Sequence, residues 1–374
     1  MKLRSWIKTN VPKPAMALYG IAILSFCIHI LCIFFTGFAD FFAVHIAGFF
    51  RMLLAKLSGL YRFSVAEILI LCIPIVFIDI IVVVVKHCRD DDVTKINRFF
   101  AGAFAVVSLF YSTFVFTYGM GYRGYTLDKK LGIDKREVTV EELEQTALYL
   151  AERINETAGE VSFVYGGCSV MPYDFETLGE KINATYAACA DKYPFLNNFS
   201  SRVKPMMLAK GMSYIHMLGM YTYYTGEANI NTEFPDYSTP FTVAHEMAHQ
   251  RGIAREDEAN FMAYLICTAS EDPFIRYSGY LNMYEYTQNA LYSADKKAYA
   301  KVSGALCMEA KYDMESYRVF FMQYKDSKAA GVADTLNDAF LKGNGQEEGT
   351  RSYGLVVDLA VAYILSNTTQ EIQK

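Results

Sequence analysis

PFTVAHEMAHQRGIAREDEAN, residues 240–260, decides how the soluble part of this chain is read. Pro240 suits the first turn of a helix, where its missing N–H costs nothing. Ser238 and Thr239 stand before it as candidate N-caps, and Gly252 offers the stop. In a helix so bounded, His245 and His249 lie one turn apart on one face, so both imidazoles can reach a single cation. Glu246 flanks that position, where it can take a proton from a metal-bound water. The spacing therefore predicts one Zn2+ per chain, held by His245 and His249, with Glu246 as general base. The chain has only six histidines, and an incidental match to this pattern would not usually bring helix signals at both ends.

An open zinc site takes three protein ligands. The candidates for the third lie in the segment that follows, AREDEANFMAYLIC, residues 254–267. Glu256 and Asn260 are four apart on one helical face, which would let Glu256 bind the metal while Asn260 holds a ligand histidine by its second ring nitrogen. Glu258 competes with Glu256 and points to another face; either could instead be an ordinary solvated carboxylate.

HEMAH followed by EDEAN resembles the gluzincin pattern, in which HExxH is completed by a glutamate in an ExxAD motif on a following helix. Matched position by position, Glu256 falls on the ligand, Ala259 on the alanine and Asn260 on the usual aspartate. The alanine match favours Glu256 over Glu258. Two features depart from the pattern: Asn260 in place of aspartate, and a short connection from His249 to Glu256 whose Gly252 resembles the glycine turn of metzincins, with Arg255 where their third histidine would stand. The resemblance implies a zincin-like metallopeptidase domain. It also implies that MYTYYTGEANINTEF, residues 220–234, forms an edge strand above the site, against which an extended peptide could pair. GEANIN, PFTVAHEMAHQRG, EDEANF and a late SYGLVVDL, behind three N-terminal spans, resemble an uncharacterised bacterial family of unknown function over nearly the whole chain. That likeness implies architecture and no substrate.

Outward from this motif, the chain divides. Hydrophobic residues make up 53% and charged residues 20% of the 374, with the apolar excess in the first third. Residues 15–38 carry His29 as their only ionisable group and are long enough to cross a hydrocarbon core. Residues 68–85, with Pro74 and Asp79, and residues 99–118 are the next two spans. Asp79 reads as a carboxyl turned toward neighbouring helices. Residues 40–63 mix Phe, Leu and Ile with Arg51, Lys56 and Arg62, and read as an interfacial or re-entrant amphipathic helix. With three spans, Lys2, Arg4, Lys8, Lys13, Lys86, Arg89, Lys95 and Arg98 share one side, and the positive-inside rule then places everything after Tyr118 outside the cytoplasm. If residues 40–63 crossed, that domain would face the cytoplasm.

The expected architecture is thus a membrane region, residues 1–118, and an α+β, mostly helical catalytic domain, residues 119–374, with helical periodicity over 138–157 and strand-like residues over 217–231. A net charge of −5 and the lack of a basic stripe argue against a nucleic-acid partner. Cys168, Cys189, Cys267 and Cys307 lack CxxC spacing, leaving free thiols or one or two disulfides. Arg276, Tyr277, Tyr280, Arg351 and Tyr353 are conceivable transition-state stabilisers, Tyr353 being the first to mutate, although most of the 28 tyrosines must serve packing. The expected function is a membrane-anchored zinc peptidase acting on peptides or proteins; the alternative is a non-catalytic zinc-binding receptor or structural protein. The intact Glu246 argues for the first, since a purely structural site has no use for a base.

Overall fold

The computed structural model describes residues 2–89, 93–164, 167–349 and 355–372. Four N-terminal helices, Lys13–Phe34, Thr36–Ser58, Val65–Arg89 and Val93–Thr117, are long and apolar enough to cross a membrane by length and composition. The third contains its expected span; the first begins two residues earlier than expected and ends at Phe34, four residues short of 38, where Phe35 breaks the helix, and the fourth begins six residues earlier and ends at Thr117, one short of 118. The first and last of the four run side by side with like ends together. Asn97 Nδ2 donates to Asn10 Oδ1 at 2.9 Å, Tyr19 donates to the Ala101 carbonyl at 2.6 Å, and His29 Nδ1 lies 3.2 Å from the Tyr111 hydroxyl. Asp79 does not turn inward as the sequence reading expects; it is exposed on Val65–Arg89, whose apolar stretch is bare of protein cover.

Thr36–Ser58 differs from the other three. It is continuous through a π-helical segment, Phe42–Ile46, and touches the soluble domain from end to end. Asp40 pairs with Lys130 at 2.8 Å. The Val44 carbonyl accepts from Asn197 Nδ2 at 2.8 Å. Arg51, fully buried, donates to Asn197 Oδ1 and to the Ala43 and Thr117 carbonyls, and Lys204 Nζ donates to the Ser58 carbonyl at 3.0 Å. A helix of this length is about 34 Å long. One leading straight away from the domain could keep only one end on it, so Thr36–Ser58 lies along the domain. Its buried side is lined by Ala39, Ala43, Ala47, Gly48 and Ala55 around Arg51, and its outer side exposes Phe41, Phe49, Leu53 and Leu57.

The connection from this helix to Val65–Arg89 is also gripped by the domain. Glu227, buried, accepts from the backbone N–H groups of Val65 at 3.0 Å and Ala66 at 2.8 Å, at the exposed donors of a helix start. Glu67 reciprocates by accepting from Met207 N–H and Leu208 N–H. Lys204, 3.8 Å from Glu227, also donates to the Tyr61 carbonyl.

The soluble part is mostly helical around one apolar core. Val140–Ala158 begins with a capping box between Thr139 and Glu142 and packs against Pro273–Ala294, a helix started by Asp272. The only sheet among the described residues has three short strands, β1 (Lys204–Pro205), β2 (Gly219–Thr222) and β3 (Glu227–Ile230), in the order β1-β3-β2. β2 is antiparallel to β3 and forms an edge. Thr239–Gln250 lies under this sheet and is buried over its full length. After the tight turn at Gly252, Glu256–Thr268 packs against it. All eight cysteines are free thiols.

Candidate metal centre

Thr239–Gln250 forms where the sequence places it, with Ser238 at the N-cap position and Pro240 in the first turn. Ser238 Oγ donates to the Pro235 carbonyl, however, so its side chain does not cap the helix. At the other end Gly252 adopts φ +112, a conformation that L side chains rarely take, and the Arg51 guanidinium fills the space where a Cβ would stand. That turn reverses the chain within a few residues and brings the start of Glu256–Thr268 back under the histidines.

Three acceptor atoms meet there. His245 Nε2 and His249 Nε2 are 3.1 Å apart, and each is 3.3 Å from Glu256 Oε2. Four-coordinate zinc at about 2.0–2.1 Å from each ligand sets neighbouring ligand atoms about 3.3 Å apart. Two imidazole nitrogens and a carboxylate oxygen with these separations therefore fit one face of such a polyhedron and leave a fourth corner free. Among the described residues the triad is the one group of His, Cys, Asp and Glu side chains whose ligand atoms lie close enough together to hold a metal ion. Glu258 is turned elsewhere: its carboxylate accepts from Leu127 N–H at 2.9 Å and lies 3.8 Å from Arg255.

The supporting contacts orient the ligands. His249 Nδ1 is 2.7 Å from the Ile253 carbonyl and 3.2 Å from the Tyr118 hydroxyl, which itself donates to the Ala254 carbonyl at 3.1 Å. Donation from Nδ1 to Ile253 leaves the Nε2 lone pair facing Glu256 and His245. Asn260 is buried beside the Tyr286 hydroxyl. Its Nδ2 and His245 Nδ1 both lack a hydrogen-bond partner, so the bond expected from Asn260 to a ligand histidine is not among those of the described residues.

Electrostatics match this geometry. Burial opposes charge on His249, but the adjacent Glu256 carboxylate, Glu246 and the Ile253 carbonyl outweigh it and raise the imidazole to about 9. Burial likewise opposes charge on Glu256, and the two histidines overcome it, holding the carboxyl far below the usual range. Without a metal the site is thus an ion pair. Glu246 behaves differently: burial raises it above an ordinary carboxylate, tempered by the two histidines and by the Tyr221 backbone N–H. Glu258, buried beside Asp257, is raised to about 7.

Glu246 lies against β2. A Cβ on Gly219 would stand 2.5 Å from Glu246 Oε1, so only glycine lets the strand approach this closely. The Asn231 N–H donates to the Leu218 carbonyl at 2.8 Å, and the register pairs Met220 with Asn229. By the alternation of an antiparallel ladder, the backbone groups of Gly219 and Tyr221 therefore point to the unpaired edge, the side on which Tyr221 N–H meets Glu246. The approach is narrow: the His245 and Glu256 side chains retain 11% and 13% exposure, and the broad surface depression beside Lys135, Val138 and Val357 contains none of the triad.

Residues 43–361 match a protein family described as Protein of unknown function (DUF3810). The chain belongs to that family. No curated protein and no solved structure matches the chain. Of the other residues singled out from the sequence, Arg276 donates to the Ser270 and Glu271 carbonyls and Tyr277 donates to Asp313, while Tyr280 packs against Tyr264. Arg351 and Tyr353 lie outside the described residues. The residues that sequence reasoning missed are Tyr118, Ile253 and Gly219. Only Gly219, a glycine opening a run of β-branched and aromatic residues, carried a local signal.

Proposed function

We propose that this protein is a membrane-anchored, zinc-dependent peptidase that hydrolyses peptide bonds of extended polypeptide segments. The observation that carries the reading is the convergence of His245 Nε2, His249 Nε2 and Glu256 Oε2 within 3.1–3.3 Å, with Glu246 beside them under the unpaired edge of β2. A zinc ion held by these residues would supply an acidified water and polarise a carbonyl.

The chain's own residues supply the rest. An extended substrate would pair with the edge-facing backbone groups of Gly219 and the Tyr221 carbonyl, which orients successive peptide bonds past Glu246. Burial makes Glu246 a stronger base than a solvated carboxylate. Its carboxylate takes the proton from water and returns it to the departing amide nitrogen. His249, fixed by Ile253 and Tyr118, and Glu256 keep the ligand atoms at their spacing.

The same reading places the catalytic domain outside the cytoplasm. Thr36–Ser58 and the residue 59–64 connection rest on the domain, which supports reading Lys13–Phe34, Val65–Arg89 and Val93–Thr117 as the three spans among the four helices able to cross. The basic ends bearing Lys2, Arg4, Lys8, Lys86, Arg89 and Lys95 then lie on the opposite side from the domain.

The test uses the purified full-length protein. One zinc per chain, cleavage of an unstructured protein, and loss of cleavage with full zinc retention in Glu246→Gln are expected. Undiminished cleavage in that variant removes the assigned base, and zinc binding with no hydrolysis across a broad peptide library contradicts the peptidase reading.

A further inference from the structure

The β2–β3 turn sits on the membrane region. The Tyr223 ring packs edge-on against Phe114 at 5.3 Å between centroids, and Tyr224 against Phe110 at 5.6 Å. Thr117 Oγ1 donates to the Tyr223 carbonyl at 3.2 Å. Phe110 lies seven residues before the end of Val93–Thr117, so the tip of this turn reaches about 10 Å below the last residue of the helix. Beside it, Gly226 packs on Leu54 and Ala55 of Thr36–Ser58 closely enough that a Cβ would stand 2.7 Å from Ala55 N. The apolar outer side of that helix continues into exposed Leu60, Tyr61 and Phe63 and then into the bare face of Val65–Arg89. Tyr223 and Tyr224 thus stand at the level where tyrosines gather between hydrocarbon and water.

The strand beside the metal ligands therefore points at the bilayer. Thr222, the last residue of β2, is two residues from Tyr224, and Gly219 and Tyr221, which lie against Glu246 with their backbone groups on the unpaired edge, are five and three residues from Tyr224. At about 3.3 Å per residue, the bond facing Glu246 would lie roughly 10–17 Å from the interfacial tyrosines. The metal ligands are tied to the same level, because Tyr118, whose hydroxyl contacts His249, directly follows the span end at Thr117.

Resting on the peptidase reading, we propose that the substrates are membrane-anchored polypeptides, cut in the extended segment that emerges from the bilayer, within about the first eight residues beyond it. A chain paired along β2 passes directly into lipid at the Thr222 end, so an anchored substrate enters the cleft without bending. A segment held far from the bilayer must fold back toward it to reach Glu246.

The test co-reconstitutes the full-length zinc-loaded protein in phosphatidylcholine–phosphatidylglycerol vesicles with three substrates that share one unstructured reporter segment. In the first the segment starts two residues from a transmembrane helix, in the second a rigid proline-rich spacer of about 20 residues intervenes, and in the third the segment is soluble. The two anchored substrates are equally enriched on the vesicle, so their comparison isolates distance from the bilayer. Cleavage of the first at least about tenfold faster than the second and third, with products mapped by mass spectrometry to the first eight residues, is expected from the gain in effective concentration. Equal rates for all three, or faster cleavage of the spaced substrate, overturn the inference and leave the peptidase reading intact. No cleavage of any substrate overturns the peptidase reading and the inference with it.

Discussion

Two buried polar clusters, one joining the domain to the apolar N-terminal helices and one inside the domain, end differently. Around Lys204, Glu227 and Glu67, each acceptor meets a donor: Glu227 takes Val65 and Ala66 N–H, Glu67 takes Met207 and Leu208 N–H, and Lys204 gives to Ser58 and Tyr61. Around His245, His249 and Glu256, three acceptor atoms instead crowd together, joined in the metal-free protein only by whatever protons the imidazoles carry. Buried polar groups are normally satisfied within the protein. The first cluster is complete and serves to dock the domain on its apolar helices, whereas the second has the spacing that a bound cation, as proposed, would complete.

The sharpest way to break this comparison is to remove the base beside the second cluster. Glu246→Gln should lower hydrolysis by roughly a thousandfold with zinc content unchanged. In the first cluster, Glu227→Ala leaves Lys204 buried without its counter-charge and the Val65 and Ala66 N–H groups without their acceptor, and should destabilise the protein by roughly 3–5 kcal/mol in a chemical or thermal unfolding assay. Any variant protein that stays folded should still bind one zinc. The neighbouring carboxylates give a finer contrast. Glu256→Gln should weaken zinc by more than about a hundredfold in competition with a chelating dye, while Glu258→Gln should change it by less than about threefold, since Glu258 meets only Leu127 and Arg255. Tyr118→Phe removes the hydroxyl beside His249 Nδ1 but leaves the Ile253 carbonyl, and should weaken zinc by about tenfold.

A further contrast is one of pH. His249 is raised to about 9 in the metal-free protein, from an ordinary value of about 6.5. The folded state therefore binds a proton that the unfolded chain releases between these values. The stabilisation from that proton is complete below about 6.5 and is lost as pH rises through 9. Zinc must displace the same proton, so its affinity should rise over this window by up to about tenfold per pH unit. Calorimetry in buffers of differing ionisation enthalpy should detect the released proton.

The features legible in the sequence are those set by local spacing. His245, Glu246 and His249 are one helical turn, and Glu256 follows after a turn whose glycine is visible as such. The amphipathic character of residues 40–63 was also readable, but not its sense. Arg51 faces the domain and the aromatic side faces out, because a buried acceptor set from Asn197, Ala43 and Thr117 outweighs solvation of the guanidinium. Tyr118 was not legible, since it reaches His249 across 131 positions of sequence through tertiary packing alone. Asn260 illustrates the reverse case: a motif position implied a bond to a histidine, while the packed helix sets it beside Tyr286.

The central claim is that His245, His249 and Glu256 hold one zinc with a position left open. Zinc K-edge absorption of the full-length protein, loaded with one equivalent, measures this directly. The account predicts four nitrogen or oxygen neighbours at about 2.0–2.1 Å, two of them imidazole, with one imidazole lost in His245→Ala. A sulfur neighbour at about 2.3 Å, or a spectrum that His245→Ala leaves unchanged, would contradict it.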